Sequence, residues 1–328
     1  SHAAGGLHRR LPRLGGGAGA VHREKNPGDG VVAVVRPNLL ATHDTEEQGN
    51  AWQQLRDDPG SPLTNRAIAE TFPPGSTFKV ITTAAALQNG VTDNDQLTSA
   101  PQIQLPNSTA TLENYGGTPC GSGPTASLRE AFARSCNTAF VELGMRVGAD
   151  ALRNTAQAFG FDSPPAPIPL EVAESTIGPI SDAAALGGMS SMGQKDVAVT
   201  PLQNALVAAT IANSGVMMQP YLVDSLKGPR SVKHQHGSAC PTAACRIEQV
   251  AAKLTDLMIG AEQMTQQKGG AIPPGVQIAS KTGTAEHRYR PPRQHPPTAC
   301  LVHRLRSSTE PPQSGRRRAD RKRRRPAE

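Results

Sequence analysis

Three short runs of residues have the types and spacing needed for acyl transfer. They occur in the order Ser76-x-x-Lys79, Ser135-x-Asn137 and Lys281-Thr282-Gly283. A serine hydroxyl is a weak nucleophile until a base takes its proton, and a residue three positions later on a helix lies on the same face. Ser76 and Lys79 have this spacing, so Lys79 could be the base.

A lysine acts as a base only when it is neutral, which requires a lowered pKa. Burial and a neighbouring cation both lower the pKa of an amine, and Lys281 could be that cation if its strand passes the start of the helix. The backbone N–H groups of Ser76 and Thr284 could stabilise the oxyanion. Together these groups predict an acyl-transfer site.

Each run alone also has an ordinary structural explanation. Ser76 could be a helix N-cap, Lys79 a solvated lysine, and the Lys281 run a strand end before a turn. Their joint occurrence in this order favours the catalytic interpretation. No G-x-S-x-G motif supports a Ser-His-Asp triad, and we interpret His287 as incidental.

The elements that position these residues follow from the apolar periodicity. Pro73-Pro74-Gly75 predicts a stiff turn before a buried helix that ends at Asn89-Gly90. Ser127 predicts the start of a helix that is interrupted at Ser135-Cys136-Asn137 and then resumes. Further helices are predicted at 149–159, 201–212 and 248–265, and strands at 31–35 and 276–281. Interior helices with strands near both ends predict an α+β fold.

The formal net charge of +7 is concentrated at the two ends of the chain. Residues 1–27, 28–287 and 288–328 have formal charges of +4, −7 and +10. Because the middle segment lacks a basic face, nucleic acid is not an expected partner, although the arginine runs after residue 315 leave binding to an anionic polymer open. The five cysteines are scattered, and only Cys240 and Cys245 lie close together, without a second pair for zinc. We therefore expect no metal and no cofactor.

At these motifs the chain resembles the penicillin-binding proteins, specifically the class B D,D-transpeptidases of cell-wall synthesis. Two segments resemble the actinobacterial penicillin-binding protein A branch, namely Asn114-Tyr115-Gly116-Gly117 and Ser280–Glu286. The likeness covers roughly residues 31–287. Other segments that carry it are Asn65–Ile68, Phe72–Lys79, Ser127–Phe132, Gly193-Gln194 and Thr200–Gln203.

This resemblance implies a fold shared with serine β-lactamases, a helical subdomain beside an antiparallel sheet. It implies peptidoglycan cross-linking, in which a stem peptide ending in D-Ala-D-Ala acylates a serine and passes to another stem's amine. β-Lactam antibiotics would acylate the same serine. By matching positions, the nucleophile is Ser76, the base is Lys79, the proton relay and amide contacts are Ser135 and Asn137, and the carboxylate-binding residues are Lys281, Thr282, Gly283 and Thr284.

The resemblance also implies a location and a domain organisation. The family is membrane-anchored and works with other cell-wall synthesis proteins at the extracytoplasmic face of the plasma membrane. We predict a disordered basic segment at 1–30, an incomplete transpeptidase domain at 31–287 and an Arg/Pro-rich disordered tail at 288–328. The anchor and the C-terminal strands are expected to be missing, because proline pairs cannot form a strand ladder. We hypothesise that the basic ends come from out-of-frame reading.

Two alternatives stay open. A serine β-lactamase shares the three motifs and adds a glutamate that activates water, and Glu171 lies 36 residues after Ser135. The sequence after Glu171 lacks the expected Leu-Asn pair, so we favour a surface carboxylate there. The other alternative is an inactive product whose basic tails bind anionic polymers.

Overall fold

The computed structural model describes residues 44–165, 168–180, 190–194, 196–223, 225–227, 233–236, 241–266, 276–286 and 298–308. The helices are α1 (Thr45–Asp57), α2 (Arg66–Ala69), α3 (Lys79–Gln88), α4 (Leu128–Arg134), α5 (Asn137–Val147), α6 (Ala149–Ala158), α7 (Pro201–Ala212) and α8 (Glu248–Gln266). Single 3-10 turns lie at Gly75–Thr77, Tyr115–Gly117 and Ser190–Met192. The predictions for residues 1–30, the strand at 31–35, His287, and the segments 288–297 and 309–328 lie outside the described residues.

The strands pair two by two, and every pairing is antiparallel in the described part of the chain. They are β1 (Gln96–Thr98), β2 (Gln102–Gln104), β3 (Thr111–Glu113), β4 (Thr125–Ser127), β5 (Val216–Met218), β6 (Ser225–Lys227), β7 (Lys233–His236), β8 (Pro241–Arg246), β9 (Val276–Glu286) and β10 (Thr298–Ser308). The predicted α+β class is thereby confirmed.

Helix α3 runs through the middle of the core. Every residue from Lys79 to Ala86 is buried, as expected of a helix that is apolar on nearly all sides. The helix ends as predicted, because the Asn89 N–H donates to the Ala85 and Ala86 carbonyls and Gly90 adopts a φ of 84°. The one charged side chain of this helix, Lys79, is thus carried into the interior.

Helix α4 ends at the residue that opens the second motif. The Ser127 hydroxyl caps its beginning by accepting from the Glu130 N–H at 3.2 Å. Ser135 then takes the left-handed conformation with φ 60° and ψ 40°, which stops the helix, and α5 starts at Asn137. The predicted interruption at Ser135-Cys136-Asn137 is therefore confirmed.

The later helices follow the predicted boundaries to within a residue. Thr200 caps α7 through the Gln203 N–H, and Pro201 occupies the first helical position. Helix α8 packs against β9, α4 and α3. Within the described ranges no helix combines the length and apolar character needed to cross a membrane.

Strand β9 is longer than predicted and has a partner. It pairs with β10 from Val276 opposite Ser308 to Glu286 opposite Thr298. The prediction that the chain after residue 287 cannot form a strand ladder is therefore wrong for residues 298–308. The average composition of the tail hid a local run of strand-forming residues, Thr298 to Val302, that begins just after the Pro296-Pro297 pair.

A network of charges joins α8 to the beginning of α4. Arg129 Nη2 contacts Asp93 Oδ2 at 2.6 Å and Asp256 Oδ2 at 2.5 Å, and Lys253 Nζ lies 3.2 Å from Asp93 Oδ1. The Asp93 side chain is only 12% exposed. The hydrogen bond from Arg129 lowers the pKa of this carboxyl below 3.8.

We expect Asp93→Asn to lower the free energy of unfolding at pH 7 by about 1–3 kcal/mol, because two cations lose a nearly buried anion. The folded-state pKa of Asp93 lies below its unfolded value, so its contribution is complete above about pH 4 and is lost as the pH falls through the folded pKa. Urea unfolding of wild type and Asp93→Asn between pH 7 and pH 3 should show that the difference in their free energies of unfolding becomes smaller as the pH falls. A difference independent of pH would contradict this.

The matched control is Asp57→Asn, since the Arg56–Asp57 pair is more than 60% exposed on both sides. It should change the free energy of unfolding by less than about 0.5 kcal/mol.

Candidate active site

The Lys79 amine is held by the turn between α4 and α5. Its Nζ donates to the Ser135 carbonyl oxygen at 2.7 Å and to Asn137 Oδ1 at 2.8 Å, and it lies 3.4 Å from Ser135 Oγ. The side chain is fully buried, with Nζ 5.2 Å from the centre of the Phe140 ring. The first and second motifs therefore meet at one amine.

The Lys281 amine reaches the same serine from β9. Its Nζ donates to Ser135 Oγ at 2.8 Å and to the Thr282 carbonyl oxygen at 3.0 Å. Lys281 is 2% exposed, and its Nζ lies 5.9 Å from the Phe132 ring centre. Ser135 Oγ thus lies between two lysines that are 202 positions apart in the chain.

Burial controls the protonation of both amines. Desolvation, and secondly the charge of Lys281, hold the pKa of Lys79 well below 10.5. Desolvation lowers the pKa of Lys281 to about 7. Two charged amines this close to one hydroxyl repel each other, so the pair loses a proton readily. Lys79 is the amine that is predisposed to be a neutral base.

The Ser76 side chain lies on the 3-10 turn directly before α3. Gly75 enters this turn with a φ of 54°, and its N–H donates to the Gly193 carbonyl at 2.8 Å. Phe78 has helical backbone angles and joins the turn to Lys79, so Ser76 and Lys79 keep the one-turn spacing expected from the sequence. Ser76 is partly exposed, whereas Lys79 is buried. A solvent-reachable hydroxyl therefore precedes a buried amine on one helical face.

Two glycines allow other segments to approach this turn closely. A Cβ atom on Gly283 would lie 2.8 Å from the Pro74 carbonyl oxygen and 2.9 Å from the Thr77 nitrogen. A Cβ on Gly193 would lie 2.4 Å from the Gly75 carbonyl oxygen. Only glycine fits at such distances, so β9 and the Gly193 segment touch the backbone of the turn that holds Ser76 directly.

The third motif presents both a buried and an open face. Lys281 and Gly283 are buried, whereas Thr282 and Thr284 are exposed on β9. Thr282 and Thr284 thus present exposed hydroxyls on β9, and hydroxyls of this kind can bind a carboxylate. The structure thus brings together Lys79, Ser135, Asn137 and Lys281, and it packs Gly283 of β9 against Pro74 and Thr77, on either side of Ser76 in the adjoining turn.

Sequence reasoning missed the disulfide that flanks the second motif. Cys120 and Cys136 are bonded, with their Cα atoms 5.7 Å apart. Both are buried, and Cys136 stands between Ser135 and Asn137. The position of Cys136 inside Ser-x-Asn was the available signal, but nothing in the sequence identifies Cys120 as its partner.

Asn114 was quoted only as part of a family likeness, yet it contacts the site. Its Oδ1 accepts from the Asn137 N–H at 2.8 Å, and the Glu113 carbonyl accepts from Asn137 Nδ2 at 3.0 Å.

In contrast, Glu171 has an exposed side chain, as the preferred interpretation expected. Among the described residues, no group of three or more His, Cys, Asp or Glu side chains is placed to hold a metal ion.

Comparison with known proteins gives a consistent answer. Residues 31–298 match the family of penicillin binding protein transpeptidase domains. The peptidoglycan D,D-transpeptidase PbpA of Mycobacterium tuberculosis is 66% identical over 266 residues, covering 81% of this chain and 53% of that protein. PbpA of Mycolicibacterium smegmatis is 67% identical with the same coverage. This chain thus spans about half the length of the curated relatives it matches.

A solved structure extends the likeness to the fold. The penicillin G acyl-enzyme complex of penicillin-binding protein A from M. tuberculosis has a TM-score of 0.71 and 65% sequence identity. The match covers 77% of this chain and 56% of that one. The predicted penicillin-binding protein fold is confirmed.

We expect Gly283→Ala to slow acylation of Ser76 at least tenfold, because the new methyl group would push β9 away from the turn that holds Ser76. Intact-mass measurement of adduct formation with a carboxylate-bearing acylating reagent checks this. Gly260→Ala on α8 is the control, since nothing lies within 4 Å of its added Cβ. Equal rates in the two variants would show that the close approach is unimportant.

Proposed function

The chain belongs to the penicillin-binding protein transpeptidase family, and from this membership we propose that it cross-links peptidoglycan by serine D,D-transpeptidation. The observation that carries the proposal is the meeting of Lys79 and Lys281 at Ser135, in a buried position beside the turn that holds Ser76. Acyl transfer at a serine requires a base and a path for its proton. Here an amine with a lowered pKa can be the base, a hydroxyl can relay the proton, and the second amine has a pKa of about 7.

In the proposed acylation, Ser76 Oγ attacks the carbonyl carbon of the penultimate D-Ala, and its proton passes to neutral Lys79. The backbone N–H groups of Ser76 and Thr284 stabilise the oxyanion. The C–N bond then breaks, and the leaving D-Ala amine takes up a proton relayed from Lys79 through Ser135. The product is an acyl ester on Ser76 and free D-Ala.

The second half-reaction returns the enzyme to its starting state. The amine of another stem peptide attacks the ester carbonyl and loses a proton to Lys79, and the Ser76 oxygen leaves and is reprotonated. The result is a new peptide bond between two stems. With a β-lactam, the broken amide stays tethered to the acyl group because it belonged to a ring, so the serine stays blocked.

Substrate recognition is proposed to depend on the terminal carboxylate. Protonated Lys281 and the exposed hydroxyls of Thr282 and Thr284 lie along β9, where charge-assisted hydrogen bonds can hold that group. Gly283 keeps the strand against the Ser76 turn, so a carboxylate held there would set the scissile carbonyl over the nucleophile. β-Lactams carry a carboxylate in an equivalent position and are proposed ligands.

We also propose that the chain acts at the extracytoplasmic face of the plasma membrane together with other cell-wall synthesis proteins. The Cys120–Cys136 disulfide supports this location, since disulfides persist in oxidising compartments and are rare in the cytosol. The peptidoglycan substrate would be on the same side.

Incubation of the whole chain with benzylpenicillin should add the mass of one intact penicillin, and Ser76→Ala should remove that adduct. Ser108→Ala, on the turn between β2 and β3, is the matched serine control and should react like wild type. A reporter cephalosporin should give one stoichiometric burst. Sustained turnover would favour a β-lactamase, and a wild-type chain without adduct would overturn the proposed activity.

The second-order acylation constant should fall as the pH rises through about 7. The carboxylate needs a protonated Lys281, whose pKa is lowered to about 7 by burial. Burial and the charge of Lys281 hold the pKa of Lys79 well below 10.5, which favours its neutral form as the base. Lys281→Arg keeps its charge at every accessible pH, so the alkaline fall should disappear even if acylation is slower. An unchanged alkaline limb in that variant would contradict the assignment to Lys281.

A further inference from the structure

The helix that carries Asn137 begins without a cap of its own. The first N–H groups of an α-helix have no partner inside the helix and need an acceptor from elsewhere. In the described structure, the residue at the N-cap position of α5 is Cys136, which gives no capping hydrogen bond. Its sulfur is bonded to Cys120. The acceptor must therefore come from another segment.

Asn114 supplies that acceptor from 23 positions away. Its Oδ1 accepts from the N–H groups of Asn137 at 2.8 Å and Thr138 at 3.1 Å. The Thr138 hydroxyl, which donates to the Ala100 carbonyl at 2.8 Å, lies 3.3 Å from the same Oδ1. These N–H groups are the first two of α5, so Asn114 acts as a remote N-cap. The side chain is 6% exposed, so solvent has little access to replace these bonds.

Asn114 is itself rigidly held. Its Nδ2 donates to the carbonyls of Ala100 and Thr118, each at 3.1 Å. Its backbone N–H donates to the Pro101 carbonyl, and its carbonyl accepts from the Gly117 N–H, both at 2.9 Å. With both side-chain atoms and both backbone groups bonded, the amide can take only one orientation.

The same strand end also orients the Asn137 side chain. The Glu113 carbonyl accepts from Asn137 Nδ2 at 3.0 Å, which leaves Oδ1 to accept from Lys79 Nζ at 2.8 Å. Residues 113 and 114 thus determine the backbone position of Asn137 and the direction of its amide. The Lys79 amine depends on that amide for one of its short hydrogen bonds.

We propose that Asn114 is a positioning residue for acylation, which caps α5 from the end of β3 and thereby keeps Asn137 Oδ1 on the Lys79 amine. The proposal rests on the proposed function, since it specifies how the base of that reaction is held. Asn114 does not touch the reacting atoms, and it acts through Asn137. Its loss should therefore affect the chemical step more than ligand binding.

The test uses benzylpenicillin and separates the acylation rate constant from the noncovalent dissociation constant by stopped-flow kinetics. Asn114→Ala should lower the rate constant at least tenfold and change the dissociation constant less than twofold. Asn114→Asp keeps an acceptor for both N–H groups but sets its second oxygen against the Ala100 and Thr118 carbonyls, so it should recover only part of the rate. Thr200→Ala removes the comparably buried cap of α7, so it should lower the unfolding midpoint as Asn114→Ala does, with an unchanged rate constant.

A double-mutant cycle tests whether Asn114 acts through Asn137. If it does, adding Asn114→Ala to Asn137→Ala should cost less than a further twofold in rate. Additive losses, or a normal rate in Asn114→Ala while wild type is acylated, would overturn this proposal alone. A wild-type chain that takes up no penicillin would instead overturn the proposed function and the acylation role with it.

Discussion

The desolvation of two lysine amines around one serine hydroxyl is the constraint on which the site depends. Lys281 Nζ donates to Ser135 Oγ, and Lys79 Nζ lies 3.4 Å from the same oxygen. Burial lowers the pKa of each amine. An amine kept in water would be charged and useless as a base at neutral pH. The fold therefore has to carry a lysine into its most buried helix and supply enough acceptors to hold it there. The Ser135 carbonyl and Asn137 Oδ1 meet that need.

Close backbone approach is the second requirement. Two segments, β9 and the one that contains Gly193, meet the Ser76 turn through glycine, because a methyl group there would overlap backbone atoms. Contacts made through side chains would leave rotamer freedom at these distances. Closely packed backbone segments fix the positions of the groups they carry more rigidly. The lysine pair and the glycine contacts are thus parts of one arrangement, since Gly283 packs β9 against the Ser76 turn and Lys281 of the same strand reaches Ser135.

The sequence predicts helices α3 to α8 well, but it misses α1 (Thr45–Asp57), whose stretch reads as polar and irregular, and it predicts the long-range contacts poorly. Helix boundaries, the stop at Asn89-Gly90 and the break at Ser135 follow from periodicity and capping, which act over a few residues. The strand at 298–308 was excluded by mistake, because composition averaged over the tail hides a short run with strand propensity. The Cys120–Cys136 bond and the Asn114 contacts join residues 16 and 23 positions apart, and no local pattern encodes such a pairing. The meeting of Lys79 and Lys281 could be predicted from the sequence, because a lysine base needs a lowered pKa and a neighbouring cation lowers it.

Asn137 shows how these two levels combine. Its identity follows from a motif, but its hydrogen bond to Lys79 requires one direction of its amide, and that direction comes from Glu113 and Asn114. A helix normally takes its cap from the preceding residue, which ties the cap to the local chain. Here the preceding residue is used by the disulfide, so the cap comes from the β2–β3 hairpin. The position of the helix start consequently depends on that hairpin, and the hydrogen bond to the Lys79 amine depends on contacts outside the three motifs.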